Sequence, residues 1–450
     1  MAGKPSSTGS DTRNGGGLLR ILGLGFALAV GVGSVIGGGI LRTPASVADS
    51  VGSVQIALLL WAAVAVHSLI QANVVAELMA ALPKAGGLFV PAKEAFGEGG
   101  GLLIGWVDWL NMVAGIAALS IITAEFLGVL LPQIAAHPGI SGVVIACAFY
   151  ALNWIGIREG SAAQIVGSLA KVAFLLGIVA LIFFMPPQGA SWPLDASTSS
   201  PVTLLGIVVA YQIIIGAYAG WANPIYFAEE DTNPGRNLPR ALFGTVLAVA
   251  ALYLLVSTAL SYALPLDALR SSKLAAADAV GGIFGSFALQ IVAAGAVLIA
   301  ATCLNANIMA APRILYGLAE QRLFPRVALA VNGGGTPTVA LAFTALASIA
   351  LTFTGEFETV FKIMAALGMF PLLMADLALF KLRRDAPDLL RPYRAKLYPY
   401  LPALALLLDL TVLSAFLASD WINGLFILAA VAIAWPIGSW MRRRPTIQTA

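Results

Sequence analysis

The chemistry that this sequence offers lies in two runs of glycine and other small residues. The first, G-V-G-S-V-I-G-G-G-I at 31–40, interrupts an apolar stretch at 18–41. The second, G-A-Y-A-G-W-A-N-P at 216–224, interrupts another at 201–227. Each interior glycine disfavours a helix by about 1 kcal/mol against alanine, so Gly37, Gly38 and Gly39 together penalise it by roughly 3 kcal/mol. Where a helix unwinds, its freed N–H and C=O groups become ligands. The N–H groups around Gly37, Gly38 and Gly39 stand at the positive end of the following half-helix and suit a carboxylate. A backbone without Cβ lets the ligand come close. Carbonyls left at the end of the preceding half-helix, near 32–35, suit an ammonium group. The second break offers the same through 216–220, with Pro224 removing one donor. A zwitterion such as an α-amino acid satisfies both polarities. Close packing of small residues between helices is the competing reading, and three consecutive glycines exceed what it requires.

These breaks need spans to hold them. Hydrophobic residues fill 59% of the 450 positions and charged residues 10%, which excludes an ordinary soluble domain. At about 20 apolar residues per crossing, the sequence predicts twelve spans: 18–41, 54–82, 102–131, 140–156, 162–185, 202–227, 238–264, 283–319, 337–354, 359–381, 398–418 and 421–441. The fourth and ninth are short. Unwound backbone at membrane depth persists only inside protein or beside a wet cavity. One break at the head of each five-span set points to a substrate site at the bilayer midplane. Five is odd, so the second set inserts upside-down, giving an inverted repeat of 18–185 and 201–381 followed by two further helices at 398–441. Lys and Arg fall overwhelmingly on one side, with Arg42, Arg270, Lys273 and Lys362 toward the other, which predicts cytoplasmic termini. The net charge of +3 reflects this topology and gives no sign of nucleic-acid binding.

Residues 1–17 are polar and rich in Gly and Ser, and read as a disordered cytoplasmic tail. No small-residue cleavage site follows a short apolar core, so the first span is retained. Cys147 and Cys303 fall inside spans and read as buried, inert thiols, with no metal site between them and no cofactor motif anywhere. His67 and His137 are too far apart for a paired ligand motif. Lys171 lies in the apolar run A-A-Q-I-V-G-S-L-A-K-V-A-F-L-L, about 14 Å of helix rise into its span. An ionisable group there is a functional candidate by default, set against a lysine that snorkels to the interface. Glu77, Asp108 and Asp376 are expected near cytoplasmic ends, hydrated or beside a basic neighbour. Glu125 is expected to be solvated, and Asp409 to make an interhelical hydrogen bond.

Four segments resemble the amino acid–polyamine–organocation superfamily of permeases. They are G-S-V-I-G-G-G-I (33–40) with R-T-P after it, A-E-L-M-A-A-L-P-K-A-G-G (76–87) running on to A-F-G, Y-F-A-E-E-D-T-N-P-G-R-N-L-P-R-A (226–241) and P-R-I-L-Y-G-L-A-E-Q-R-L-F-P (312–325). They stand in register, and the span count extends the match to nearly the whole chain. The resemblance implies an all-α membrane protein of twelve helices, a 5+5 inverted repeat of leucine-transporter type with helices 1 and 6 broken, and alternating access. It implies that the backbone at Val35, Gly38 and Gly39 takes the carboxylate and that the carbonyls of Val35, Gly216 and Ala219 take the amine. Tyr218 and Trp221 flank the second break and either line the pocket or its gate, or pack. Many relatives carry an aromatic gate at the position aligned with Gly216 and a bulky group near Asn307; both are smaller here. Either Tyr218 builds the gate or the pocket admits a larger side chain.

In some proton-coupled relatives a lysine at the place of Lys171 stands in for a sodium ion beside the first break. Exchangers keep it too, so it argues against sodium more than for a proton. Glu229, Glu230 and Asp231, with Arg236 and Arg240, are implied to form an inner gate that latches against 84–98; a solvated charge cluster is the plainer alternative. The expected activity is secondary transport of an amino acid, proton-coupled and sodium-independent, with exchange as the alternative. No acid near the breaks holds a cationic side chain, which favours neutral or apolar substrates. A membrane enzyme lacks its motifs here, a channel lacks a ring of repeated ligands, and 131–140 has no cysteine for a disulfide-linked partner.

Overall fold

The computed structural model describes residues 17–184, 202–272 and 274–419, with a few later positions (424, 425, 428, 429 and 432). The tail expected at 1–17, but for Gly17, and the span expected at 421–441, but for those few positions, lie outside the described residues.

The chain enters as extended backbone. Leu22 donates to the Glu230 carbonyl at 2.9 Å and its own carbonyl accepts from Thr232 at 2.9 Å, a single parallel bridge across the second break. Helix α1, Leu24–Val35, stops where Ile36 turns out of helical geometry (φ −69°, ψ 87°). A 3-10 turn, Gly38–Leu41, leads into α2, Thr43–Val51, which carries Pro44 in its first turn and is capped by left-handed Gly52. The first span therefore runs ten residues past the expected end at 41. Arg42 sits between the two half-helices with its guanidinium 5.0 Å from the Phe126 ring centre.

Helix α3 spans Val54–Ala81 behind a Ser53 cap. Helix α4, Phe89–Leu130, has 42 residues. Unbroken it would measure about 63 Å, twice the hydrocarbon core. Gly97, at φ 78°, divides it into an approach helix and a span. Next come α5 (Pro132–Ala135), α6 (Pro138–Ile155) and α7 (Ile157–Phe184). Helix α8, Leu204–Tyr218, is capped by Thr203 and gives way at Ala219 to extended backbone, then to a 3-10 turn, Asn223–Phe227. The remaining helices are α9 (Pro234–Ala263), α10 (Leu266–Ser271), α11 (Ala275–Phe284), α12 (Ala288–Glu320), α13 (Thr338–Thr352), α14 (Phe357–Asp385) and α15 (Tyr400–Ser419). The eighth span thus starts at Ala275 rather than 283, kinked at Gly285 where φ is 53°.

Among the described residues, nine helical stretches are long and apolar enough to cross a membrane, and α1 and α13 are shorter apolar helices. Helix α1 packs against α7, α9 and α12, and α3 packs against α8 and α9, so both breaks face one core. Helix α4 lies along α12 and α14, and α15 covers α3 and α14 from outside. Trp61, Tyr218 and Tyr253 are buried at the centre, with ring centres 5.2 Å (Trp61–Tyr253), 5.4 Å (Tyr218–Tyr253) and 6.2 Å (Trp61–Tyr218) apart.

Candidate functional site

Breaking α1 frees carbonyls that need donors, since buried backbone oxygens are nearly always paired. Lys171, fully buried on α7, supplies two of the bonds: its Nζ donates to Gly33 O at 2.5 Å and to Ile36 O at 2.8 Å. Cys303 Sγ, from α12, lies 3.1 Å from the same two oxygens and 3.6 Å from Nζ. Ser34 O is 3.4 Å from that sulfur. Tyr253 Oη, from α9, reaches Val35 O at 2.9 Å and Ala217 O at 3.1 Å, so one hydroxyl bridges the two breaks. One turn earlier, Ser168 Oγ donates to Ala29 O at 2.7 Å.

The two breaks also touch directly. Gly220 holds φ 101°, and a Cβ on it would come within 3.0 Å of Ser34, both its Cβ and its carbonyl oxygen. Only glycine accepts both the left-handed backbone and the contact. Ala219 N closes α8 on the Gly216 carbonyl at 3.2 Å. A carbonyl has two lone pairs, so beyond the Tyr253 and Ala219 bonds Val35 O and Gly216 O can each accept one more. Around the first break, Ile40 N bonds to Gly37 O at 3.3 Å, and the leading N–H groups of this turn have no partner within it.

Val35, Gly37, Ala219, Gly216 and Tyr218 therefore gather around one junction. Gly38 and Gly39 open its 3-10 turn. Tyr218 is buried, and its hydroxyl has no hydrogen-bond partner. A Cβ added at Gly216 would meet nothing within 4 Å, so the space beside it is open. Asn307 on α12 faces the second break, accepting from Asn223 Nδ2 at 3.1 Å. Trp221 is buried just past that break.

Glu230 lies away from this junction, and its partner comes from another helix. Arg236 and Arg240 do not pair with it; buried Arg313, on α12, does so through two bonds of 3.2 Å. Arg313 also donates to Met309 O at 2.8 Å, and its guanidinium lies 5.4 Å from the Phe227 ring centre. Asp231 caps Asn233 N at 2.7 Å rather than joining a charge cluster. Glu229 does reach the 84–98 loop, accepting from Ala85 N at 3.0 Å.

Asp108 and Asp376 are buried in the protein. Asp108 is buried about 16 Å of helix rise beyond Gly97 and accepts from Tyr226 Oη at 2.9 and 3.0 Å. Asp376 is fully buried against Gln71. Glu77 does have basic neighbours, Arg383 at 2.5 Å and Arg391 at 3.0 Å. Asp409 makes the interhelical bond expected of it, to His67 at 2.9 Å. Cys147 lies exposed on α6 instead of buried. Sequence reasoning missed Tyr253, Cys303, Asn223 and Arg313. Tyr253 and Cys303 are lone polar groups in otherwise apolar helices, which read equally as packing, while Asn223 and Arg313 sat inside quoted motifs that named no role for them.

The comparisons with known proteins identify a family. The amino acid permease family model matches residues 22–440. The serine/threonine exchanger SteT of Bacillus subtilis (strain 168) is 27% identical over 434 residues, covering 95% of this chain and 98% of the relative. The human large neutral amino acids transporter small subunit 2 is 26% identical over 419 residues, 88% of this chain and 76% of the relative. The human cystine/glutamate transporter is 24% identical over 405 residues, covering 86% and 78%. The fold of twelve helices in a 5+5 inverted repeat, with helices 1 and 6 broken, follows from the family. By the extent of the family match, this chain belongs to the amino acid permeases, a family of membrane transporters and not of enzymes.

Proposed function

We propose that the chain moves a neutral or apolar α-amino acid by alternating access, with the substrate held where the two broken helices meet. Its carboxylate faces the backbone N–H groups at Gly37, Gly38 and Gly39. Its ammonium faces the free lone pairs of Val35, Gly216 and Ala219 carbonyls, while Tyr218 and Asn307 border the side-chain space widened at Gly216. Trp221 and the Glu230–Arg313 pair belong to the moving gate. In this reading 18–185 and 201–381 are the inverted repeats, 398–441 is peripheral, and the protein sits in the cell (inner or plasma) membrane with both termini cytoplasmic.

The observation that carries the coupling assignment is the Lys171 ammonium lodged between Gly33 O and Ile36 O. An ammonium in that position supplies the positive charge that a sodium ion would otherwise bring, so transport is sodium-independent; proton coupling is the first reading. Exchange of one amino acid for another is the second reading, favoured by the likeness to a serine/threonine exchanger. No disulfide-linked partner enters this scheme.

The test is uptake of labelled amino acids into proteoliposomes under a pH gradient, a sodium gradient or an unlabelled internal load, each alone. Uptake driven by pH and lost in Lys171→Ala supports proton symport. Uptake only against an internal load makes the chain an exchanger and Lys171 a strut. Sodium dependence would contradict the assignment of Lys171.

A further inference from the structure

A second group of ionisable side chains lies outside the substrate junction, where α3, α8, α14 and α15 meet. His67 on α3 sits between two partners: its Nε2 is 2.9 Å from Asp409 Oδ1 on α15, and its Nδ1 is 2.9 Å from Tyr211 Oη on α8. Four residues along α3, Gln71 Nε2 donates to both acids, to Asp376 Oδ2 on α14 at 3.2 Å and to Asp409 Oδ2. His67, Gln71, Asp376 and Asp409 are all 3% exposed or less. Two oxygens of the group, Asp376 Oδ1 and Gln71 Oε1, are buried without any hydrogen-bond partner.

We propose that His67, Asp376 and Asp409 form a proton-binding site, separate from the substrate junction, whose occupancy is tied to the position of α8. The proposal rests on reading α8 as the moving half of a broken helix in a carrier. The charge count comes first. With a neutral imidazole and both carboxylates ionised, the buried group carries two negative charges. An imidazolium leaves one, and only a further proton on the Asp376–Asp409 pair makes it neutral. Two carboxylates held to one amide cannot both ionise cheaply in a membrane interior. The hydrogen-bond count agrees, since the oxygens left over are acceptors and the missing element is a hydrogen. The facing titratable groups are Tyr211 from α8, Asp376 from α14 and Asp409 from α15. Among the described residues no Lys or Arg hydrogen-bonds or ion-pairs with any of them. Glu77 and Arg383, roughly 9–10 Å further along α3 and α14, pair with each other.

The link to α8 follows from the two nitrogens of one ring. In the neutral tautomer with Nε2–H donating to Asp409, Nδ1 accepts from the Tyr211 hydroxyl. In the imidazolium both nitrogens are donors, so Tyr211 must turn its hydrogen elsewhere. Gaining a proton from water therefore reverses the bond that holds α8, and Tyr211 lies only about 8–10 Å of helix rise before Gly216–Tyr218. The step makes and breaks only O–H and N–H bonds.

Infrared difference spectroscopy of the reconstituted full-length protein, titrated with pH, tests this. The wild type should show a protonated-carboxyl stretch at neutral pH that Asp376→Asn removes, and Asp376→Asn should move the midpoint of the pH–counterflow profile by at least one unit or flatten it. If Asp376→Asn does not reach the membrane, the wild-type band and the profile of His67→Gln carry the test. An absent band, a band that Asp376→Asn leaves unchanged, or superimposable profiles would overturn the proposal. So would loss of the band on adding sodium at constant ionic strength, which would assign the site to a metal cation. Failure of the wild type to exchange any amino acid would count against the carrier reading alone, because the infrared result stands without it.

Discussion

Lys171 and Gly220 are the residues on which the junction turns, and they do so for opposite reasons. Lys171 adds donors where the broken α1 has too few; Gly220 removes atoms where the two breaks come too close. Replacing Lys171 by Met leaves Gly33 O and Ile36 O with only the weak donor of Cys303, a loss of about 1–3 kcal/mol. The same change relieves the burial of an ammonium, which costs several kcal/mol. The two effects oppose, so Lys171→Met should change stability by less than about 2 kcal/mol while counterflow falls by roughly tenfold or more. Thermal unfolding in detergent and counterflow rates, measured together, separate the two. Wild-type counterflow in this variant would remove Lys171 from the mechanism. Gly220→Ala should cost about 1–2 kcal/mol through its left-handed backbone alone and push Ser34 away. It should abolish counterflow, whereas Gly177→Ala, on α7 with nothing within 4 Å of an added Cβ, should not. Both Lys171 and the glycine runs were legible in the sequence because they violate what a membrane helix tolerates. Tyr253 and Cys303 were not, because a lone Tyr or Cys in an apolar helix violates nothing.

Between elements, the Glu230–Arg313 pair ties the end of the second break to α12. The motif around Arg313 marked it as family-like, and the charge run at 229–240 grouped Glu230 with Arg236 and Arg240 as one gate element. Three-dimensional proximity overrode sequence proximity, since α12 passes behind the break. Breaking a buried ion pair from one side leaves an uncompensated charge and costs about 3–5 kcal/mol. Arg313→Met should therefore unfold at a markedly lower temperature, and adding Glu230→Gln should restore much of the loss while leaving transport impaired. A double variant no more stable than Arg313→Met would show that the pair does not act as a unit. Helix boundaries were less legible than helix identities. Arg42 suggested an end to the first span that the structure carries on to Val51, because a charged side chain can lie beside Phe126 at the surface of a half-helix.

At the scale of the whole molecule, the helices hold two interrupted backbones face to face, and the junction works only if both interruptions line one space. Composition and the spacing of the breaks made this architecture readable, since unwound backbone has few places to survive in a membrane. The polar group at His67, Asp376 and Asp409 was only partly readable: its members lie on three different helices, and Asp376 was expected beside water or a base, not buried against Gln71. The central claim is that the substrate occupies the junction beside Gly216, and a cysteine placed there tests it most directly. In a Cys147→Ala background, Gly216→Cys should react with a membrane-impermeant thiol reagent, lose transport on modification, and be protected by a transported amino acid. Labelling that substrate does not slow, or that leaves transport intact, would contradict the account.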